Sequence, residues 1–268
     1  MLKDITLGQY FPGSSPIHRL DPRTKLLVLV GYIVALFTAE HWVSYGIVFL
    51  FLALCIFISQ IPLKAIFRGM KPLVFILVFT GILNLFFSGG ETVLFRFWGL
   101  TITKEGMIRA VFMVCRILML ISGTFLMTCT TSPIALTDGL ESLLSPLKKI
   151  HLPVHELAMM MCIALRFIPT LIEETDKIMS AQKARGADFE SGKLMDRVRA
   201  LVPILVPLFI SAFRRADELA TAMECRCYQG GEGRTKMKML RYQRRDFYAF
   251  GVCTILLVVI FVLKNLNL

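Results

Sequence analysis

Five apolar stretches, each near the length of a bilayer crossing, leave this chain little but a membrane to fold in. They lie at residues 26–39, 43–59, 72–87, 107–129 and 247–263. A helical crossing takes about 20 predominantly apolar residues. The first stretch is the shortest, and Lys25 beside it is expected to snorkel toward the interface. Of the 268 residues 56% are hydrophobic and 18% charged, and the mean hydropathy is +0.67, which excludes a large soluble domain. The expected fold is an all-α polytopic membrane protein with about five transmembrane helices.

Lysine and arginine sort the connections. The tail before the first stretch holds Lys3, Arg19, Arg23 and Lys25, and the second connection holds Lys64, Arg68 and Lys71. The first connection has none, and the longer third has Arg96 and Lys104. Basic loops stay inside, so the N-terminus is expected in the cytoplasm of a cell-membrane protein and the C-terminus outside. A formal net charge of +11 fits cytoplasmic loops on an anionic bilayer and, with no recognition fold in view, not nucleic acid. The seven cysteines are scattered without a CxxC pair and read as small buried hydrophobes. The polar N-terminus lacks the apolar core of a signal peptide.

Between the fourth and fifth stretches, residues 130–246 mislead hydropathy. Residues 157–172 and 200–213 are apolar enough to count as crossings, yet the first holds Arg166 and Pro169 and the second Pro203 and Pro207. Counting both would put 173–199, with six basic residues, outside, reversing the bias of the other loops. They are therefore expected to lie along the cytoplasmic membrane face or against another membrane protein. Each changes character partway, with Glu173 and Lys177 and then Arg214 and Glu218 four apart on the charged halves. A shorter helix at about 133–149, opened by Ser132 and Pro133, precedes them. The expected organisation is a cytoplasmic segment at 1–25, four crossings in 26–129, three cytoplasmic or interfacial helices in 130–246 and a last crossing in 247–268.

Both long helices end in an arginine between small residues: Ala184, Arg185, Gly186 and Cys225, Arg226, Cys227. Gly186, and Gly230 with Gly231 further on, suit a left-handed stop, so each arginine belongs in or near a last turn. A cation there complements the helix dipole. Two such ends in tandem also suit docking, because a guanidinium can grip a carboxylate bidentately.

These residues, with His18-Arg19-Leu20-Asp21-Pro22-Arg23-Thr24-Lys25, Leu165-Arg166-Phe167-Ile168-Pro169 and Ala222-Met223-Glu224-Cys225-Arg226-Cys227-Tyr228, resemble the T component of energy-coupling factor (ECF) transporters. The first helix end matches that family's Ala-Arg-Gly signature, whereas cysteines replace both small neighbours of Arg226. The resemblance implies an L-shaped molecule of membrane helices and cytoplasmic coupling helices. It implies a non-enzymatic subunit whose two arginine ends dock on two ATP-binding-cassette ATPase subunits. A separate membrane-embedded S component would bind a vitamin or other micronutrient and rest on this chain. The apolar halves, at Pro169, Pro203, Leu205, Pro207 and Phe209, are the expected seat for the S component. Two alternatives are a conventional ABC permease, which would carry polar residues along several crossings, and an ATP-independent assembly or anchoring protein.

Other motifs fall short. Gly230-Gly231-Glu232-Gly233-Arg234-Thr235-Lys236 breaks the order of a phosphate-binding loop. Pro153 between His151 and His155, before Glu156, favours a helix start over a metal site. No hydrolase motif is present, so neither catalysis, a cofactor nor a metal is expected. Arg116 lies inside the fourth crossing, where a charge demands partners. Backbone carbonyls, Asn84 or Ser122 are the expected ones.

Overall fold

The computed structural model describes residues 10–87, 93–97, 100–187, 194–231 and 239–266. Its α-helices are α1 (Pro22–Thr38), α2 (Trp42–Ser59), α3 (Leu63–Met70), α4 (Val74–Phe87), α5 (Lys104–Thr130), α6 (Pro133–Leu144), α7 (Val154–Ala184), α8 (Leu194–Glu224) and α9 (Arg244–Asn265). The chain divides into two compact units. One is drawn from Gly8–Gly139 and Leu240–Leu268, the other from Leu140–Met239.

In the first unit α1, α2, α5 and α9 share a core built on Tyr32, Leu36, Val48, Met119, Leu256 and Ile260. Between membrane helices lipid competes for apolar surface, so close approach at small residues does much of the work. A Cβ on Gly123 would stand 2.6 Å from the Tyr32 ring, and one on Gly31 2.6 Å from Cys253 Sγ. Tyr32 satisfies its own hydroxyl by donating to the Met119 carbonyl at 2.9 Å.

The segment His18–Lys25 ties three helix ends together. Asp21 caps α1 by accepting from the Arg23 backbone N–H at 2.9 Å, with Pro22 in the first turn where no N–H is needed. The Asp21 N–H donates to Asp246 Oδ1 at 2.9 Å, and Asp246 Oδ2 accepts from the Gln243 N–H at 2.7 Å. Arg23 grips the Asp21 carboxylate and lies over the Tyr242 ring at 4.3 Å. Lys25 does not snorkel. It is buried, and its Nζ donates to the carbonyls of His18 and Thr130 and to Thr131 Oγ1 at 2.8–3.3 Å. Thr130 is the last residue of α5, so the ammonium sits at the negative end of that helix.

Arg116 is held by two groups. Its Nε donates to Tyr45 Oη at 2.8 Å and its Nη2 to the Ala39 carbonyl at 3.1 Å, at the C-cap of α1. The Phe37 and Tyr45 rings flank it at 5.5 and 5.8 Å. A carbonyl is thus one partner, as expected, but Asn84 and Ser122 are not. Each bonds a carbonyl one turn back in its own helix.

Three elements depart from expectation. Residues Val93–Phe97 and Leu100–Thr103 form an antiparallel hairpin, pairing Arg96 with Thr101 and Phe97 with Leu100, where only a connection was foreseen. The second connection contains α3, short because Pro62 precedes it and Pro72 follows, with Ile66 buried. The helix at 133 is α-helical only to Leu144 and continues as a 3₁₀ helix to Ile150, because Pro146 has no N–H to give.

Five described helices have the length and composition of a crossing: α2, Leu63–Phe86, α5, α7 and α9. Four of them carry stretches expected to cross, and the fifth, α7, stands in place of the first stretch. The first apolar stretch forms the 17-residue α1, while α7 runs for 31 residues and qualifies.

Candidate functional site

The second unit is organised by α7 and α8, each 31 residues long with proline inside it: Pro169 in α7, Pro203 and Pro207 in α8. The two helices are joined through polar groups. Glu174 of α7 accepts from the Ser211 hydroxyl and, at 2.9 Å, from Arg215 Nη2 of α8. The same guanidinium lies 5.7 Å from the centre of the Phe167 ring. Sequence spacing placed Glu173 opposite Lys177 and Arg214 opposite Glu218. Those pairs do not close; the adjacent residues Glu174 and Arg215 make the ion pair instead. The available clue was Ser211, a hydroxyl in an otherwise apolar run that needs a partner when buried.

Beyond this clasp each helix runs on to an exposed end. At a rise of 1.5 Å per residue, Arg185 is about 16 Å along α7 from Glu174, and Arg226 about 22 Å along α8 from Ser211. Both ends are closed by the same hydrogen-bonded turn. At the end of α7 the Gly186 N–H bonds the Lys183 carbonyl and the Ala187 N–H bonds the Gln182 carbonyl, both at 3.0 Å. At the end of α8 the Cys227 N–H bonds the Glu224 carbonyl at 2.8 Å and the Tyr228 N–H bonds the Met223 carbonyl at 3.1 Å. This is the Schellman arrangement, which needs a left-handed residue one position after the cap. Gly186 supplies it with φ +87° and Cys227 with φ +55°.

Arg185 and Arg226 therefore hold one position relative to the turn, the residue before its left-handed member; Arg185 caps α7, while α8 ends at Glu224, two residues before Arg226. The expectation that Gly230 and Gly231 end the second helix is corrected. Cys227 ends it three residues earlier, and Gly230 takes its own left-handed turn (φ +93°) in the following loop. Residues 232–236 of that glycine-rich run lie outside the described residues. Ala184, Arg185, Gly186, Cys225, Arg226 and Cys227 are all exposed. Among the described residues neither Arg185 nor Arg226 has a side-chain hydrogen bond or ion pair. Each tip is thus a cation whose five N–H donors face outward.

The apolar halves are exposed as well. On α8, Leu205 is 47% and Phe209 61% exposed, with Val206, Ile210 and Phe213 beside them, while Ile204 is buried. Pro169, Pro203 and Pro207 are also exposed. A run of this kind is unstable in water and needs lipid or an apolar partner over it. Among the described residues no three His, Cys, Asp or Glu side chains cluster as metal ligands. His151 takes a left-handed turn (φ 60°), and His155 Nδ1 pairs with Glu141 Oε1 at 3.0 Å beside Gly231.

A family model described as CbiQ, cobalt transport protein, matches residues 13–237. Similar curated proteins carry the name energy-coupling factor transporter transmembrane protein. One from Clostridium kluyveri is 54% identical over 99% of this chain and 98% of its own length. One from Thermosediminibacter oceani is 57% identical over 93% and 94%. One from Bacillus subtilis is 46% identical over 98% and 100%. The chain belongs to this family of energy-coupling factor transporter transmembrane proteins.

Proposed function

We propose that this chain couples ATP-driven movement to substrate uptake without catalysing a reaction itself. Arg185 and Arg226 dock on two ATP-binding-cassette ATPase subunits. The apolar halves of α7 and α8, at Pro169, Pro203, Leu205, Pro207 and Phe209, seat a membrane-embedded S component that carries a vitamin or other micronutrient. The Glu174–Arg215 clasp makes the two arms move together. The observation that carries this reading is the repetition of one helix stop with an outward-facing arginine just before its left-handed residue. A single such end is ordinary dipole complementation worth about 0.3–1 kcal/mol; a repeated one suits two copies of a similar groove.

The charge bias of the loops supports a cytoplasmic N-terminus, an outer C-terminus and a cytoplasmic location for residues 173–199, of which 188–193 lie outside the described residues. On that topology α7, although long and apolar enough to cross, lies along the inner membrane face.

The test is alanine at both Arg185 and Arg226, followed by purification under mild detergent and by ATP-dependent uptake. Truncating one partner of a desolvated, hydrogen-bonded charge pair costs roughly 2–5 kcal/mol. ATPase subunits should be lost while the chain still reaches the membrane. Retained ATPases with full uptake in the well-expressed double variant would refute the docking role.

A further inference from the structure

A cavity of about 400 Å³ opens inside the first compact unit, between α1, α2, α5 and the start of α9. One end is marked by Lys25, Thr130 and Arg245, and the other by Tyr32, Gly123 and Val252. Lys25 and Tyr32 are seven residues apart on α1, as are Arg245 and Val252 on α9. At 1.5 Å per residue the cavity therefore runs about 10 Å along the helices. Its wall is apolar except at the first end, where both charges are positive. Among the described residues no carboxylate lines it.

The two cations differ in what they offer. All three Lys25 hydrogens already meet oxygens, and the nearby Asp21 and Asp246 carboxylates offset its charge, so it leaves the binding of an anion to Arg245. Arg245 is exposed and makes no side-chain hydrogen bond among the described residues, and the exposed Arg241 and Arg244 stand beside it in sequence. An apolar slot among membrane helices, with an unsatisfied guanidinium at its mouth, has the polarity of an amphiphile in reverse. Basic pockets at the ends of membrane helices recognise anionic headgroups, and arginine can hold a phosphate through two parallel bonds.

We infer that this cavity holds the headgroup-proximal part of one acyl chain of an anionic glycerophospholipid whose phosphate is gripped by Arg245. The site is separate from the arginine tips and stands whether or not the docking role holds. The lipid acts as a wedge between α1, α2, α5 and α9, filling space that the side chains leave open. A neutral zwitterionic lipid fits the slot equally well but gains less from the positive mouth.

Native mass spectrometry of the full chain with its co-purifying subunits tests this, after delipidation and addition of phosphatidylglycerol, phosphatidylcholine or palmitate. One phosphatidylglycerol should survive activation that strips phosphatidylcholine and palmitate. Arg245→Ala, a change at an exposed position that leaves the helix core intact, should reduce retention about fivefold, the effect of one cation near the membrane surface. Ala249→Phe should block the slot and remove the bound lipid while Arg245 stays in place. Equal retention of phosphatidylcholine, retention of palmitate in its stead, or unchanged phosphatidylglycerol in Arg245→Ala would each overturn the assignment.

Discussion

Gly186 and Cys227 occupy the same left-handed position, one residue after an arginine, in two copies of one helix stop. Glycine adopts that conformation freely, whereas a side chain with a Cβ costs roughly 1–2 kcal/mol there. The end of α8 therefore carries strain that the end of α7 lacks. Cys227→Gly should stabilise the second stop by about 1 kcal/mol, and Gly186→Ala should weaken the first by a similar amount. Amide hydrogen exchange over the last turns of α7 and α8 reads both effects. Slower exchange near residue 227 in the glycine variant is the expected result, and faster exchange would contradict the strain.

The Glu174–Arg215 pair is about three-quarters buried, with side-chain exposures of 23% and 26%, so it should contribute about 0.5–1 kcal/mol across α7 and α8. A double-mutant cycle with Glu174→Ala and Arg215→Ala measures that coupling. Substrate uptake is expected to fall in either single variant with ATPase subunits still bound. Loss of ATPase binding instead would make the clasp part of the docking surface.

Much of this was legible in the sequence because the signals are local. The crossing-length apolar runs, the Ser132-Pro133 start of α6 and the Gly186 stop each depend on a few adjacent residues. The errors came where a distant group decides the outcome. Lys25 looks like an interfacial lysine until α5 brings its C-terminal carbonyl to it. Arg116 could be assigned a carbonyl but not Tyr45, whose approach depends on how α2 packs on α5. Cys227 does not announce itself as a stop, because glycine is the usual left-handed residue and two glycines lie just ahead. The hairpin could have been found. Val93–Phe97 and Leu100–Thr103 are rich in β-branched and aromatic residues, a short signal between two much longer apolar helical runs.

On the proposed topology, which places residues 173–199 in the cytoplasm, single cysteines placed at Lys177 or Arg199 in a cysteine-free background should react with impermeant thiol reagents only in opened cells. Reaction in intact cells would instead make α7 a crossing, which its length and composition permit.

Leu205 and Phe209 are exposed on the apolar half of α8. If an apolar partner covers them, Leu205→Asp or Phe209→Asp buries an unpaired carboxylate, a cost large enough to weaken association by more than about tenfold. Pull-downs should show the small hydrophobic membrane subunit lost and the ATPases kept. The opposite pattern would mean that the two surfaces were assigned the wrong way round.

The chemistry of the arginine tips can be separated from their charge. Arg185→Lys keeps the cation and the dipole complementation but replaces a planar fork by a point charge. If the partner groove presents a carboxylate or a set of carbonyls to the fork, lysine should rescue docking only in part. Glutamate should do worse than alanine, since repulsion from the groove and from the negative helix end is added to the lost bonds. The same order, arginine above lysine above alanine above glutamate, should hold at Arg226, because the two residues occupy one position in one motif. ATPase co-purification across both series, with membrane expression as control, gives the ranking. Lysine equal to arginine at both tips would reduce the interaction to simple charge attraction, which salt then ought to abolish. A ranking present at one tip and absent at the other would mean that the two stops, alike in backbone, face partners of different chemistry.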